Sequence, residues 1–592
     1  MGQFFKFLFA SLLGVLIGFF VLFIILSGVV ASAVSDARQD APTLKDNSVL
    51  ELTFNQPIPE QPTDNPFERL QYLGNEFEGQ PALKTYLDYI DKAATDDRIE
   101  GIYLRLGNVP AGMSQLMELR QALQDFRDGG KFIYAYGNNF SQKAYLMASV
   151  ADSVFLNPEG RLLWRGLSSV SYFLRGALDR LEIKPQVFKV GKYKGAVEPF
   201  TRKDFSESNR KQITLLLQSV YGHYLDQIGP ARNIDTVSLH NYADSLKVRT
   251  PEDALQLRLV DHLAHEDEVL DAMRTRLALG QDDPIEQVDF LEFKAANKPS
   301  LPLAKEQDKG ALAVIFAEGN IVTGKSQDGT IGSESLARTI RKARKDTTVK
   351  AIVLRVNSPG GSALASDIIA REIALAKAEK PVIASMGNLA ASGGYYISCL
   401  ADAIVAQPTS ITGSIGVFAV FPNIREFMND KLGITFDRVK TGPYADFPST
   451  TRELTEDEKM IFQQFIDDTY ESFLERVAQG RNMSTEQVHA LAQGRVYTGA
   501  QAMEVKLVDE LGGLEAAVQM AADEAELEDF KVRELPKTEN PFEQLLKFVQ
   551  KQAMTRMLDP LTLSLIEESD QMRTMTEIEG AAAIMPYRLE FE

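Results

Sequence analysis

Ser392 lies in the run Met386-Gly-Asn-Leu-Ala-Ala-Ser-Gly-Gly-Tyr-Tyr396, walled by Ala390, Ala391, Gly393 and Gly394. Such small neighbours would let a substrate carbonyl approach a hydroxyl nucleophile. A second run, Asn357-Ser-Pro-Gly-Gly-Ser362, follows an apolar strand ending at Val356. Pro359 fixes its own φ and lacks a donor. Gly360 and Gly361 can adopt backbone angles closed to other residues, so their N–H groups could face an oxyanion. Taken singly, the first run also reads as an N-cap serine at the start of a helix, and the second as a plain strand-to-helix turn. Together they place a nucleophile and oxyanion donors at the carboxyl edge of a parallel sheet, where open α/β sites lie.

A serine nucleophile needs a base. The five histidines, His223, His240, His262, His265 and His489, all fall in helical or charged stretches and read as surface residues. Lysine is the remaining choice, and it must be neutral to act. Its free pKa is about 10.4, so neutrality near pH 7 needs a shift of roughly three units, about 4 kcal/mol, and therefore burial. The segment Val190-Gly-Lys-Tyr-Lys-Gly-Ala-Val-Glu-Pro199 offers Lys192 and Lys194 among small and apolar residues. Its residue pattern alone does not separate these two from each other, or either from a solvated loop lysine.

The elements that must position these groups occur twice. Ile102-Tyr-Leu-Arg-Leu106 matches Ile352-Val-Leu-Arg-Val356 at a spacing of 250 residues. Gly137-Asn138, Tyr145, Asp152 and Pro158 match Gly387-Asn388, Tyr395, Asp402 and Pro408, and Leu259-Val-Asp261 matches Leu507-Val-Asp509. Gln142 stands where the second copy has Ser392, and Ala445 where the first has Lys194. Val109-Pro-Ala111 replaces Pro359-Gly-Gly361. Neither copy is complete, so the pattern predicts one site assembled from both. Strands at 49–54, 99–106, 132–136, 311–316, 351–356 and 381–385 alternate with helices at 112–126, 142–151, 363–377 and 390–401, which predicts βαβ crossovers and largely parallel sheets. A long amphipathic helix is expected over 454–479. Residues 281–309, with prolines and many charges, read as a connection between the copies. Asp152 and Asp402 read as structural turn or cap residues.

The chain has 592 residues, too many for one core. Its 44% hydrophobic and 24% charged residues suit a globular protein. A net charge of −19 argues against nucleic acid, whose binders cluster Lys and Arg. One cysteine, Cys399, excludes an intrachain disulfide and reads as a packed residue. No His/Asp/Glu cluster has metal-ligand spacing, so no metal or cofactor is expected. From Phe7 to Val34 no residue is charged, long enough for a single membrane span and longer than a secretory signal's apolar region. Lys6 before it and acidic residues after it place the N-terminus in the cytoplasm and the bulk outside.

The motifs around Ser392 and at 357–361, with Thr412-Gly-Ser-Ile-Gly416 and Tyr193-Lys-Gly-Ala-Val-Glu-Pro-Phe200, resemble the long form of the signal peptide peptidase A family. The resemblance implies an α/β fold of two tandem ClpP/crotonase-like βαβ domains behind an N-terminal transmembrane helix. It divides the chain into an anchor at 1–35, a first repeat at 36–300 carrying the base, a second repeat at 301–535 carrying the nucleophile, and a tail at 536–592. It implies Ser392 as nucleophile, Lys194 rather than Lys192 as general base, and Ser414 orienting the lysine amine. Gly360 and Gly361 then shape the oxyanion hole, with Gly393 beside them. It further implies a homotetramer in the bacterial inner membrane, with periplasmic catalytic domains that degrade remnant signal peptides and prefer apolar residues at the cut. Gly195 departs from the family pattern, which has serine there, and is expected to loosen the loop. Two other readings fit the fold: a crotonase-type acyl-CoA enzyme without a serine nucleophile, and a non-catalytic membrane scaffold. An outward-facing anchor weighs against the first, because CoA esters are cytoplasmic.

Overall fold

The computed structural model describes residues 43–61, 81–297, 310–327, 329–536 and 582–584, with Lys6, Leu13, Gly14 and Gly18 besides. The span expected at Phe7–Val34 lies almost wholly outside the described residues. Among those described, no helix is long and apolar enough to cross a membrane.

The first half contributes β1 (Ser48–Leu52), β2 (Ile99–Arg105), β3 (Phe132–Phe140), β4 (Ser153–Leu162), β5 (Lys184–Lys189), β6 (His262–Leu263) and β7 (Gln287–Asp289). All but β5 form one sheet in the order β6-β4-β3-β2-β1-β7, every pairing parallel. The second half contributes β8 (Ala311–Glu318), β9 (Asn320–Val322), β10 (Thr330–Gly332), β11 (Val349–Ser358), β12 (Gly360–Ser362), β13 (Val382–Ala391), β14 (Ala403–Ala406), β15 (Ile411–Gly413), β16 (Phe418–Asn423), β17 (Val496–Thr498), β18 (Glu510–Leu511) and β19 (Lys531–Leu535). Its parallel pairs run β18-β14-β13-β11-β8-β19, the same order as in the first half. Strands buried on both faces read as unbroken apolar runs; in β8 all but the last residue is buried.

The repeated polar residues make the same bonds twice. The Asp152 and Asp402 carboxylates accept the N–H groups of Ile133 and Val382, each at 2.8 Å. Asp261 and Asp509 accept those of Val154 and Ile404, each at 2.8 Å. The hydroxyls of Tyr145 and Tyr395 donate to the carbonyls of Leu259 and Leu507. These residues tie helix, strand and return loop in each copy, which is why they recur in the sequence.

Three expectations need correction. The strand expected to stop at Ser385 continues to Ala391. A register shift after Val356 lets β13 stay on β11 through Ser358↔Ala390 while Leu389–Ala391 pair with β15. The helix there spans only Gly393–Ser398. The stretch 281–309 is not merely a connection, because β7 pairs with β1 and helix Phe290–Ala296 buries Phe290 and Phe293. Finally, the segment read as a plain turn before the helix is not all turn: Gly360–Ser362 form β12, after which helix Ala363–Lys377 starts and ends where expected.

A third sheet, β10-β9-β12-β20-β16-β5, mixes both halves and includes β20 (Ala582–Ile584) from the far end of the chain. Here β5 of the first half pairs antiparallel with β16 of the second over six residues, Lys189 opposite Phe418. The halves are also joined by a buried ion cluster. The Arg355 guanidinium donates to Glu60 at 2.8 Å, to Glu118 of the first half at 2.7 Å, and to Ser385 at 3.0 Å. Arg355 side-chain exposure is 0%. Burial opposes its charge, but the two carboxylates outweigh burial and push its pKa up. Glu118 also accepts the Leu514 N–H at 2.7 Å. Replacing Arg355 with methionine strands two buried carboxylates and should cost about 3–5 kcal/mol. The loss should appear as a lower urea midpoint, with most of it recovered when Glu60 and Glu118 are changed to glutamine in the same chain. An unshifted midpoint for R355M would show that the cluster does not hold the halves together.

Candidate active site

Ser392 is the link between β13 and helix Gly393–Ser398. Its backbone takes φ 56° and ψ −113°, a sparsely populated region for a side chain with a Cβ. The strain is held by its N–H, which donates to Gly413 O at 2.8 Å, and by Tyr396 N–H, which donates to Ser392 O. Its hydroxyl makes no cap bond to the helix, so the capping role that the local sequence allowed is not taken. Instead Ser392 Oγ lies 2.8 Å from Lys194 Nζ.

Lys194 reaches it from the first half. After β5 the chain crosses to the second half and is laced there. Tyr193 N–H donates to Gln493 O at 2.9 Å, and Val190 N–H to Val417 O at 3.0 Å. Gly494, at φ +78°, lies so close that a Cβ on it would sit 2.6 Å from Lys194 Cβ. A glycine is therefore required for the second half to close over the lysine. Lys194 then begins the short turn Gly195–Val197, whose residues are all buried. Lys192, its rival in the sequence, is exposed.

The environment of Lys194 disfavours the charged amine. Lys194, Ser392 and Ser414 are all at 0% exposure. Burial alone drives the amine well below the ordinary lysine value of 10.5, with no carboxylate pulling it back. Besides Ser392, Nζ is within hydrogen-bond reach of the Ser414 carbonyl at 3.1 Å and the Ser414 hydroxyl at 3.0 Å, and the Phe418 ring centroid lies 6.0 Å away. A neutral amine has two N–H donors and one lone pair. The two donors fit Ser414 O and Oγ, and the lone pair is left for the Ser392 O–H. Ser414 is itself held at φ 53°, with its N–H donating to Arg495 O at 2.7 Å.

The glycine turn closes on the same point. A Cβ on Gly393 would lie 3.0 Å from Gly361 N and 3.1 Å from Gly360 Cα. Gly361 runs so near β9 that a Cβ would sit 1.9 Å from Ile321 O. The Gly360 N–H is engaged by Ser358 Oγ at 3.1 Å, so Gly360 offers backbone geometry rather than a free donor. Gly361 and Gly393 thus bring their backbones together beside Ser392.

In the first half the equivalent place is filled. Gln142, opposite Ser392 in the repeat, accepts the N–H groups of Arg165 and Gly166 at 3.1 and 3.0 Å and donates to Gly166 O. Ala445, opposite Lys194, is exposed on a separate segment. Cys399 is fully buried, its thiol pushed up to about 12 by burial and donating to Tyr396 O. His240, His262, His265 and His489 are exposed and His223 is half-buried; none bonds Ser392. Among the described residues no group of three His, Cys, Asp or Glu side chains is placed to hold a metal.

The sequence pattern gave no warning of the support beneath Lys194. Asn209 Nδ2 donates to Glu198 Oε2 at 2.9 Å, and Gln212 Nε2 donates to Asn209 Oδ1 and Tyr193 O. Gln212 Oε1 accepts Val496 N–H from the second half. Only the i, i+3 spacing of two amides on one helix hints at this. The network also corrects the expectation that Gly195 loosens the loop. A Cβ there would lie 2.5 Å from Asn209 Nδ2, so Asn209 occupies the space a side chain at 195 would need. Gly195→Ser should force Asn209 from its bonds and lower stability by about 1–3 kcal/mol; an unchanged melting temperature would contradict this packing.

Known proteins resemble the chain over most of its length. The model of peptidase family S49 matches twice, over residues 125–280 and 374–528. Protease 4 of Salmonella typhi is 36% identical over 81% of this chain and 79% of its own length. The chloroplastic serine protease SPPA of Arabidopsis thaliana is 32% identical over 82% of this chain and 70% of its own. Among solved structures, a mutant of the 1510-N membrane-bound stomatin-specific protease, in complex with a substrate peptide, aligns at TM-score 0.27 and 16% identity. The alignment covers 41% of this chain and 99% of that one; the strand order, and not that likeness, defines the fold here. With the family model matched in each half and Protease 4 similar over most of both chains, the protein belongs to peptidase family S49, carries that family's domain twice, and is of the long signal peptide peptidase A type.

Proposed function

We propose that this serine protease is an endopeptidase that works through a Ser392–Lys194 pair and degrades signal peptides after their release from preproteins. The observation that carries the reading is a fully buried lysine amine 2.8 Å from a strained serine hydroxyl, without a countercharge. Lys194 Nζ takes the Ser392 proton as Oγ attacks the scissile carbonyl carbon. The carbonyl oxygen becomes an oxyanion facing the Gly361 and Gly393 N–H groups. The intermediate collapses as the Lys194 ammonium returns the proton to the leaving amine, giving an acyl-serine. Water then attacks the ester, yielding its proton to Lys194, and Ser392 recovers a proton as it leaves. Ser414 holds the amine's two N–H groups so that its lone pair stays on Ser392.

The signal-peptide substrate, the ClpP/crotonase-like class of each domain, the N-terminal anchor, the bacterial inner-membrane location with periplasmic domains, and the tetramer belong to the same proposal. The uncharged run at Phe7–Val34 supports the anchor. Val170, Tyr172, Leu432, Ile434 and Val439 are exposed on two segments joined by Glu182–Lys431 and Lys184–Glu426 ion pairs. They support subunit contact there.

Cleavage of an apolar peptide tests the dyad. K194A and S392A should each abolish turnover with the fold retained, and S414A should lower kcat by about 10- to 100-fold. Near-wild-type turnover by K194A would sink the assignment. The pH dependence has a definite sign. Only the neutral amine is a base, so kcat/KM should rise with pH through the depressed lysine value and level off below 10.5. Stability follows the same titration. Between the depressed native value and 10.5 the unfolded chain binds the extra proton, so stability rises with pH in that window. K194M should flatten that slope, as read from urea midpoints across the pH series.

Because Lys194 and Ser392 come from different copies, either half expressed alone should be inactive. Cleavage by one half would refute the shared site.

A further inference from the structure

Helix Met113–Asp128 of the first half begins without a cap of its own. Its N-cap residue is Gly112, at φ −75° and ψ 156°, which has no side chain to accept the free N–H groups of the first turn. At the 250-residue spacing of the repeat, Gly112 stands where the second copy has Ser362. The Ser362 hydroxyl caps helix Ala363–Lys377 by accepting the Ala365 N–H at 3.3 Å. In the first half the missing cap comes from the other copy. Asn388 Oδ1 accepts the N–H groups of Ser114 and Gln115 at 3.1 and 3.3 Å. These are the N–H groups that an N-cap side chain satisfies. The arrangement needs a glycine at 112, where a Cβ would lie 2.0 Å from Asn388 Cγ. Asn138, the counterpart of Asn388, bonds inside its own half, accepting from the Tyr136 hydroxyl and Asn157 Nδ2.

Asn388 stands in β13 a short way before Ser392, a span of about 13 Å in extended chain. The neighbouring bonds leave little slack along it. Ser410 Oγ donates to Gly387 O at 2.6 Å, and the Leu389 N–H donates to Asn357 Oδ1 at 3.2 Å. The same helix start also reaches the approach to β15, with Ser114 Oγ 3.2 Å from Thr409 Oγ1 and 3.3 Å from Ser410 Oγ. From there β13 and β15 run side by side, Leu389–Ala391 against Ile411–Gly413, and lead to Ser392 and Ser414. Resting on the Ser392–Lys194 reading of the site, we infer that Asn388 is a positioning residue. By capping a helix of the half that carries Lys194, it fixes the strand that delivers Ser392 to the amine. Without that tether the strand can shift, and a displacement of about 1 Å at reacting atoms costs roughly 100-fold in rate.

The test separates positioning from helix stability, and both from the protease reading. In the full-length chain Asn388→Ala should lower the melting temperature by about 2–4 °C. It should also lower kcat for an apolar peptide by about 10- to 100-fold, with KM changed by no more than about twofold. Gly112→Ala should reproduce the kcat loss, because its Cβ expels the Asn388 side chain, and should add nothing in the Asn388→Ala background. The double variant Gly112→Ser, Asn388→Ala gives the helix its own serine cap, as Ser362 does in the second copy. Its melting temperature should return to that of wild type while kcat stays low. Recovery of kcat together with the melting temperature would overturn the inference, and so would full activity of Asn388→Ala. Amide hydrogen exchange over residues 389–396 reads the strand without cleavage, and should be about tenfold faster in the double variant than in wild type. If the exchange quickens but wild type cleaves no peptide, the tether stands and the protease reading fails. If wild type cleaves while exchange and kcat are unmoved in the double variant, the protease reading stands and the tether fails.

Discussion

The burial of a lysine amine is the constraint on which this architecture depends. Among the described residues Lys194 has no carboxylate partner, so its pKa is pushed down only while water is excluded. Neither half can exclude water from it alone. The first half brings the lysine on a loop after β5, and the second half closes Gly416, Gly494 and Ser414 around it. The β5–β16 pairing and the Arg355 cluster hold that closure. Even Gly494 is explained by the distance at which the second half must approach the Lys194 backbone.

The same constraint accounts for the asymmetry of the two copies. One sealed pocket needs one lysine and one serine, and their seam lies where the halves meet in the third sheet. The equivalent place in the first half is closed by Gln142, whose amide bonds the backbone at Arg165 and Gly166. Gln142 is itself buried, and these bonds satisfy an amide that would cost free energy if left unpaired. The first copy thus retains the scaffold bonds of Asp152, Tyr145 and Asp261 while giving up the chemistry.

Strain sits where reaction requires it. Ser392 and Ser414 both hold positive φ, and each is held by a backbone bond, Ser392 to Gly413 at the end of β15 and Ser414 to Arg495 just before β17. Such strain aims Ser392 Oγ and the Ser414 carbonyl and hydroxyl at one amine, an arrangement that relaxed backbone would not produce. The glycine turn obeys a similar constraint. β12 lies between β9 and β20 in the third sheet and packs on Gly393, so the same three residues are held from both sides beside Ser392.

Much of the fold was legible because its signals are local. Apolar runs marked β8, β11 and β2, and the recurring Asp, Tyr and Leu-Val-Asp positions revealed the duplication. The continuation of β13 to Ala391 was hidden, because Gly387–Ala391 has little intrinsic strand preference and is held extended by β11 and β15. Helix Phe290–Ala296, β7 and β20 were likewise obscured by prolines, charges or brevity, and exist as pairings with distant strands. For the site, residue types and spacing nominated Ser392, the glycine turns and two lysines. Choosing between Lys192 and Lys194 from physics required burial, and burial is decided by what the other half packs against. The sequence by itself determined which chemistry was possible and that it was divided between two copies. The tertiary structure decided which amine is dry enough to serve, because desolvation is a property of the closed seam and not of any segment.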